Sequence, residues 1–184
     1  MNIGVISNRY AKALYQYATE GQCEKQVYRE MMTLADSYLQ VPALRKALDN
    51  PLLSVAEKTD LLCNACGGKV SPQTKRFFML VLTEHREKFM QFMAVAYIDL
   101  YRKKHNILIG RLITAIPVSK EIEDRMRAMI VKGTQATVEF ETQVEPSIEG
   151  GFILDVDFNR LDASVVTQFK RVHRQFMEKN RRIV

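Results

Sequence analysis

Carboxylates recur at every second position near the end of the chain, in the stretch DVDFNRLD at residues 155–162. Asp-x-Asp-x-Asn is how a calcium-binding EF-hand loop begins. That loop also needs a glycine at its sixth position for a sharp turn and a bidentate glutamate at its twelfth. Counted from Asp155, those positions hold Arg160 and Val166. We therefore predict that the stretch binds no metal. It is typical of a strand end and a polar turn, followed by a helix that begins at Asp162.

A pair of cysteines forms a second pattern that could do chemistry. Cys63 and Cys66 make a C-x-x-C, but they lie late in an amphipathic segment with no strand before it. A thioredoxin motif follows a strand and opens a helix, and a tetrahedral zinc site would need two more ligands. The histidines, His85, His105 and His173, are scattered along the chain. We therefore expect packing cysteines in a reducing compartment, with no metal and no cofactor.

A glycine pair, Gly150-Gly151, invites comparison with a phosphate-binding loop. The P-loop pattern G-x-x-x-x-G-K-[ST] follows a strand and opens a helix. These glycines precede a predicted strand and no Lys-Ser pair follows them, so they indicate a backbone bend or a close approach. No clustered set of His, Cys and carboxylate supplies a nucleophile and a base. We predict that the chain is not an enzyme and has no small-molecule substrate.

The composition is typical of globular domains, with 47% hydrophobic and 26% charged residues among 184. No apolar run approaches the ~18 residues of a membrane helix, and the N-terminus resembles no signal or transit peptide. We expect a cytosolic protein that meets a membrane only through a partner. The net charge of +6 is uneven, because residues 170–184 hold six Lys or Arg and one Glu. Such a tail suggests nucleic acid, an anionic membrane surface or an acidic protein helix as the partner.

Six helical segments with short connections are predicted for residues 1–105, which is the pattern of a compact bundle. The clearest start signals are the capping box that begins at Ser54 and the cap Ser71, which Pro72 follows. Residues 106–184 then read strand, helix, strand, strand, helix, which predicts a small C-terminal α/β domain. The strands are expected at residues 107–118, at 136–144 and directly after the glycine pair.

The last helix is predicted to be amphipathic. One face, expected to pack on the sheet, carries Val165, Phe169, Val172 and Phe176. The other face carries Lys170, Arg171 and Arg174. This basic face fits either solvent or a docking partner.

Three stretches together resemble one known family. NRYAKALYQYA, ALDNPLLSVAEKTDLL and EGGFILDVDFNRLDAS follow one another in the order seen in the delta subunits of bacterial ATP synthases. These are related to the mitochondrial oligomycin-sensitivity-conferring protein, and the resemblance covers the whole chain. It implies a non-catalytic stator subunit that holds the catalytic head against rotor torque, so that proton flow drives ATP formation. It also implies a peripheral position at the cytoplasmic face of the bacterial inner membrane.

The resemblance also implies partners for each domain. Residues 1–105 would bind the N-terminal segments of the alpha subunits of the catalytic head, and residues 106–184 would join the b-type subunits of the peripheral stalk. It places the alpha-subunit helix against the first and fifth helices, whose apolar surfaces by themselves fit either a core or a partner groove. The predicted alpha-subunit contacts are Tyr10, Ala13, Leu14, Tyr17, Phe77, Phe78 and Val81. The predicted stalk contacts are Lys170, Arg171 and Arg174.

A basic adaptor that binds nucleic acid through its tail is the alternative function. Such a protein should interleave aromatic residues with its basic cluster or contain a known module. Phe176 lies among the basic residues of the tail, but at core spacing, and no recognition motif is present. The sequence therefore favours the stator subunit, with no nucleic-acid partner.

Overall fold

A computed structural model describes residues 3–134, 137–156 and 159–181, without the side chains of residues 127, 129–134, 140 and 178–181. The chain divides into two compact units between Lys104 and His105. The first unit is helical, and the second contains a mixed four-stranded sheet. The predicted fold class is confirmed in this coarse form, since helices come first and a small α/β unit follows.

The described residues of the first unit contain six α-helices, two of which begin at the caps that the sequence predicted. The six are α1 Ile3–Glu20, α2 Glu24–Gln40, α3 Ala43–Leu48, α4 Val55–Ala65, α5 Pro72–Thr83 and α6 Met90–Lys104, with a 3₁₀ turn at Glu87–Phe89. Before α4, Ser54 and Glu57 form the predicted capping box, and before α5 the hydroxyl of Ser71 accepts from the backbone N–H of Thr74. Both caps satisfy N–H groups that the first turn of a helix leaves unpaired.

A buried carboxylate fixes α5 against α2. Glu30 accepts hydrogen bonds from the backbone N–H of Ser71 at 2.7 Å and from its hydroxyl at 2.9 Å, and also from the hydroxyl of Thr74. The N-terminus of a helix carries a partial positive charge, which stabilises an anion placed there. The position of α5 therefore depends on a residue that lies 41 positions earlier in the chain.

The second unit follows the order β1 Ile107–Thr114, α7 Lys120–Thr134, β2 Thr137–Val144, a 3₁₀ turn at Pro146–Ile148, β3 Phe152–Val156, β4 Asn159–Asp162 and α8 Val165–Arg181. The strands lie in the order β2-β1-β3-β4. β1 pairs in parallel with β2, and α7 connects the two, as a parallel pair requires. β3 pairs antiparallel with both β1 and β4.

The stretch DVDFNRLD contains one strand more than predicted. Asn159–Asp162 returns along β3 as β4, in a register that pairs Leu154 with Leu161. The prediction that a helix directly follows a polar turn here is wrong. Leu161 and its neighbours instead form backbone hydrogen bonds with β3, whose edge would otherwise have unpaired backbone groups. The predicted turn residues Asp157 and Phe158 lie outside the described residues.

The prediction that Asp162 caps the last helix is also corrected. The helix begins one residue after Ser164, whose hydroxyl accepts from the backbone N–H of Thr167 at 3.3 Å. Asp162 lies two residues earlier and accepts from the backbone N–H of Ser164 and from the hydroxyl of Thr167, both at 2.9 Å. The hydrogen bonds from Ser164 and Thr167 hold the pKa of Asp162 below its usual value. Asp162 thus supports the cap and is not the cap itself.

The glycine pair allows the close approach that the sequence suggested. Gly151 has φ +72°, and a Cβ placed on it would lie 2.2 Å from the carbonyl oxygen of Ala163. The backbone of this segment also holds the start of α8, since the N–H of Val165 donates to the carbonyl of Gly150 at 3.0 Å. Because Gly151 has no side chain, the start of β3 can pack closely against the residues that lead into α8.

Gly151→Ala is expected to destabilise the second unit by about 1–3 kcal/mol from backbone strain alone, and the clash with Ala163 adds to this. Amide hydrogen exchange measures the effect in β1 and β3 for this variant, and in α4 and α5 for a control variant of the first unit. Gly68→Ala is the matched control, because Gly68 also has a positive φ, +87°, but has no atom within 4 Å of an added Cβ. Equal losses in the two variants would show that the close approach contributes nothing.

Candidate docking surfaces on the two units

The first candidate surface lies where α1 and α5 pack side by side. Tyr17, late in α1, accepts a hydrogen bond from Arg76, early in α5, at 2.9 Å. Tyr10, near the middle of α1, packs edge-on against Phe77 of α5, with ring centroids 6.4 Å apart. Arg86, just after α5, donates to the hydroxyl of Tyr10 at 2.8 Å, with its Cζ 5.4 Å from the ring centroid. The two helices therefore run antiparallel, with a tyrosine–arginine pair at each end of their contact.

Burial separates the seven residues predicted to contact an alpha subunit. Ala13 is exposed, and Tyr10 and Tyr17 are half-buried. The other four, Leu14, Phe77, Phe78 and Val81, are buried. A side chain already covered by its own unit cannot present area to a partner, so these four support the surface from beneath.

Two apolar residues of α5 are exposed that the sequence did not predict as contacts. Met79 is 48% exposed and Leu80 53%. The signal was present in the run from Phe77 to Leu82, because a helix that buries positions 77, 78, 81 and 82 must turn positions 79 and 80 away. We call Tyr10, Ala13, Tyr17, Arg76, Met79 and Leu80 the α1–α5 face.

The second candidate surface is the apolar side of α8, which we call the α8 stripe: Val165, Phe169, Val172 and Phe176. The prediction that this side packs on the sheet is wrong. Phe169 is 73% exposed and Phe176 66%, and Val165 and Val172 are also exposed. The helix is held to its unit through its first turn, at Gly150 and Ser164, so the later turns stay uncovered by the unit.

A basic side borders the α8 stripe. Lys170, Arg171 and Arg174 are all exposed, as the sequence predicted for the polar face. A shallow groove along the helix is lined by Phe169, Lys170, His173, Arg174 and Met177. Aromatic and cationic groups thus lie next to one another, which suits a partner that combines apolar and acidic side chains.

The cysteine pair has the properties of packing residues. Cys63 and Cys66 are free and buried. Burial raises the pKa of Cys66 to about 12 and also raises the pKa of Cys63. A reactive cysteine needs a lowered pKa, so neither thiol is poised for redox or nucleophilic chemistry at neutral pH. Across the described ranges, no three His, Cys, Asp or Glu side chains gather in a way that could hold a metal.

Similarity to known proteins decides the family. A family model described as ATP synthase delta (OSCP) subunit matches residues 6–176. The chain belongs to the ATP synthase delta (OSCP) family. It is 56% identical to the ATP synthase subunit delta of Phocaeicola vulgatus over the full length of both chains. It is 50% identical to that of Bacteroides fragilis, again over the full length of both.

A solved structure shows the same fold. A chain of the Toxoplasma gondii mitochondrial ATP synthase hexamer superposes with a TM-score of 0.65 at 20% identity, over 93% of this chain and 97% of that one. The resemblance to the delta family, predicted from three short stretches, is thus confirmed along the chain. Membership of this family does not support the nucleic-acid adaptor.

Proposed function

We propose that this chain is the delta subunit of a bacterial ATP synthase, a non-catalytic stator component that links the catalytic head to the peripheral stalk. The observation that carries this is the match of the OSCP family model to residues 6–176, together with full-length relatives named ATP synthase subunit delta. As a stator it would hold the head still against rotor torque, so that proton flow drives ATP synthesis.

Residues 1–105 would form a six-helix bundle that binds the catalytic head. Its α1–α5 face would receive the N-terminal segments of the alpha subunits, with Tyr10, Ala13 and Tyr17 as contacts from α1. Exposed Leu80 and Met79 support this proposal, because apolar side chains grouped at the side of two packed helices suit an amphipathic helix. The buried residues Phe77 and Phe78 would keep the two helices at a fixed separation.

Residues 106–184 would join the b-type subunits of the stalk through α8. The exposed phenylalanines of the α8 stripe support this, since large apolar surfaces left uncovered on a protein commonly mark an interaction site. Lys170, Arg171 and Arg174 would add charge contacts to an acidic partner helix and favour its correct orientation.

The proposed location is the cytoplasmic face of the bacterial inner membrane, reached through the stalk. In the part of the chain that the structure describes, every helix is too short or too polar to cross a bilayer. Attachment would therefore come from the partners in the complex.

Ala13→Trp tests the head-binding part of this proposal. The side chain of Ala13 is exposed between Tyr10 and Tyr17, so an indole there should block a docking helix without disturbing the core. We expect at least about tenfold weaker binding of a peptide that copies the N-terminus of the alpha subunit from the same bacterium. Calorimetry on the full-length chain measures this, and urea unfolding should be unchanged.

Ala56→Trp is the matched control, because Ala56 is also exposed but lies in the first turn of α4, outside the α1–α5 face. It should leave the affinity as it is. Binding that survives Ala13→Trp in a folded protein would contradict the placement of the alpha subunit on this face.

A further inference from the structure

Charge is distributed unevenly over the two helices that form the α1–α5 face. Residues 3–20 and 72–86 hold five Lys or Arg and two Asp or Glu. The basic residues are Arg9, Lys12, Lys75, Arg76 and Arg86. The two acidic residues, Glu20 and Glu84, are the last residue of α1 and the residue that follows α5. Of the five, Arg76 and Arg86 contact tyrosines of α1, whereas Lys75 lines a pocket beside α4.

Two of these cations are held in place. Arg76 donates one N–H to the hydroxyl of Tyr17, and Arg86 donates one to the hydroxyl of Tyr10. A guanidinium has five N–H donors, so each arginine keeps several for another acceptor. Among the residues that the structure describes, no carboxylate forms an ion pair with either arginine. Both charges thus lack an acidic partner within the described chain, although their positions are fixed.

The spacing of the two pairs matches one helix surface. Tyr10 and Tyr17 are seven residues apart on α1, which is about two helical turns or roughly 10 Å. Between them in α1 lies exposed Ala13. On α5, Leu80 is 53% exposed and follows Arg76 by four residues, so the two share one side of that helix. The face therefore offers an apolar centre with a fixed cation near each end.

We propose that Arg76 and Arg86 make the α1–α5 face selective for an acidic amphipathic helix. Each guanidinium donates one N–H to a tyrosine of α1 and has others left with which it can donate to a carboxylate of the docked helix. The carboxylates lie about two turns apart, on either side of apolar residues that cover Ala13 and Leu80. The proposal rests on the proposed function, which supplies the occupant, the N-terminal segment of the alpha subunit.

Charge complementarity is the reason to prefer this occupant over a neutral apolar helix. A carboxylate that accepts from an arginine held in advance gains a charge-assisted bond, and little rotamer freedom of the arginine is lost on binding. A neutral helix would leave both cations partly covered without an acceptor, which disfavours it.

The first experiment removes the positive charges. Full-length Arg76→Gln and Arg86→Gln are titrated by calorimetry with a peptide that copies the alpha-subunit N-terminus of the same bacterium. Each change should weaken binding about tenfold, the effect of one charge-assisted hydrogen bond. The double variant should also lose most of the dependence of affinity on salt concentration.

Arg102→Gln is the matched control. Arg102 donates to the hydroxyl of Tyr28 at 2.9 Å and lies 5.8 Å from its ring centroid, so it forms the same kind of pair. It does so between α6 and α2, away from the α1–α5 face. Its loss should leave peptide affinity unchanged.

The second experiment changes the peptide and leaves the protein unaltered. A loss of binding therefore cannot result from misfolding of a protein variant. A copy with every Asp and Glu replaced by Asn and Gln should bind at least about tenfold more weakly than the native peptide. Equal binding of the two peptides, or unchanged affinity in both arginine variants, would overturn the selectivity and leave the proposed function standing. Failure of the native peptide to bind the unaltered protein would overturn both.

Discussion

Replacing Phe169 and Phe176 with glutamate is expected to uncouple the ATP synthase while this chain stays folded. The two rings are 73% and 66% exposed, so their loss removes little from the core of the second unit. If the stalk covers them, each ring contributes about 1.5–3 kcal/mol to that contact. Charged residues in their place would weaken it by on the order of 100-fold or more.

The measurement uses inverted membrane vesicles from cells that carry the variant. The head should still hydrolyse ATP, because its catalytic sites are untouched, but ATP-driven proton pumping should be lost. Quenching of an acridine dye reports the pumping, and immunoblotting shows that the variant chain is present. Ile116→Glu is the control, since Ile116 is similarly exposed, at 71%, but follows β1 and lies outside α8. Normal quenching by the double variant would mean that the α8 stripe is not the link to the stalk.

Phe78→Ala is expected to cost the first unit about 3–5 kcal/mol of its free energy of unfolding. The ring is fully buried and lies 6.3 Å from the ring of Phe77. Removing it would leave a cavity under the α1–α5 face, because close-packed neighbours relax only in part. Urea unfolding followed by circular dichroism measures the loss.

Met79→Ala provides the comparison from the next position of the same helix. Met79 is about half exposed, so truncation there should change stability by no more than about 0.5 kcal/mol. The loss at Met79 should instead appear as weaker binding of the alpha-subunit peptide. A small effect of Phe78→Ala on unfolding would contradict its place in the core.

Local signals in the sequence predicted the secondary structure well where the chain caps its own helices. Ser54 and Ser71 mark helix starts through bonds to residues three positions later, so the information lies within one turn. The same logic failed at Asp162. There a short strand pairs with β3 through the backbone, and four residues give little side-chain pattern from which to infer it.

The candidate surfaces were located only in part. Helical spacing placed Tyr10, Ala13 and Tyr17 on one side of the first helix. For the fifth helix it indicated an apolar run without indicating which residues the neighbours would cover. For the last helix it identified two faces and assigned the apolar one to the core, although the structure leaves Phe169 exposed.

The sequence by itself determined the periodicity of the elements, most of their starts and the resemblance to the delta family, because each depends on residues close together in the chain or on short ordered stretches. Only the tertiary structure decided which apolar side chains are buried and which cations are held. Phe78 is buried and Phe176 exposed although both lie on amphipathic helices, since burial depends on what packs against a helix. Arg86 meets Tyr10 across 76 residues, a contact that no local pattern encodes and that exists because α1 and α5 pack together.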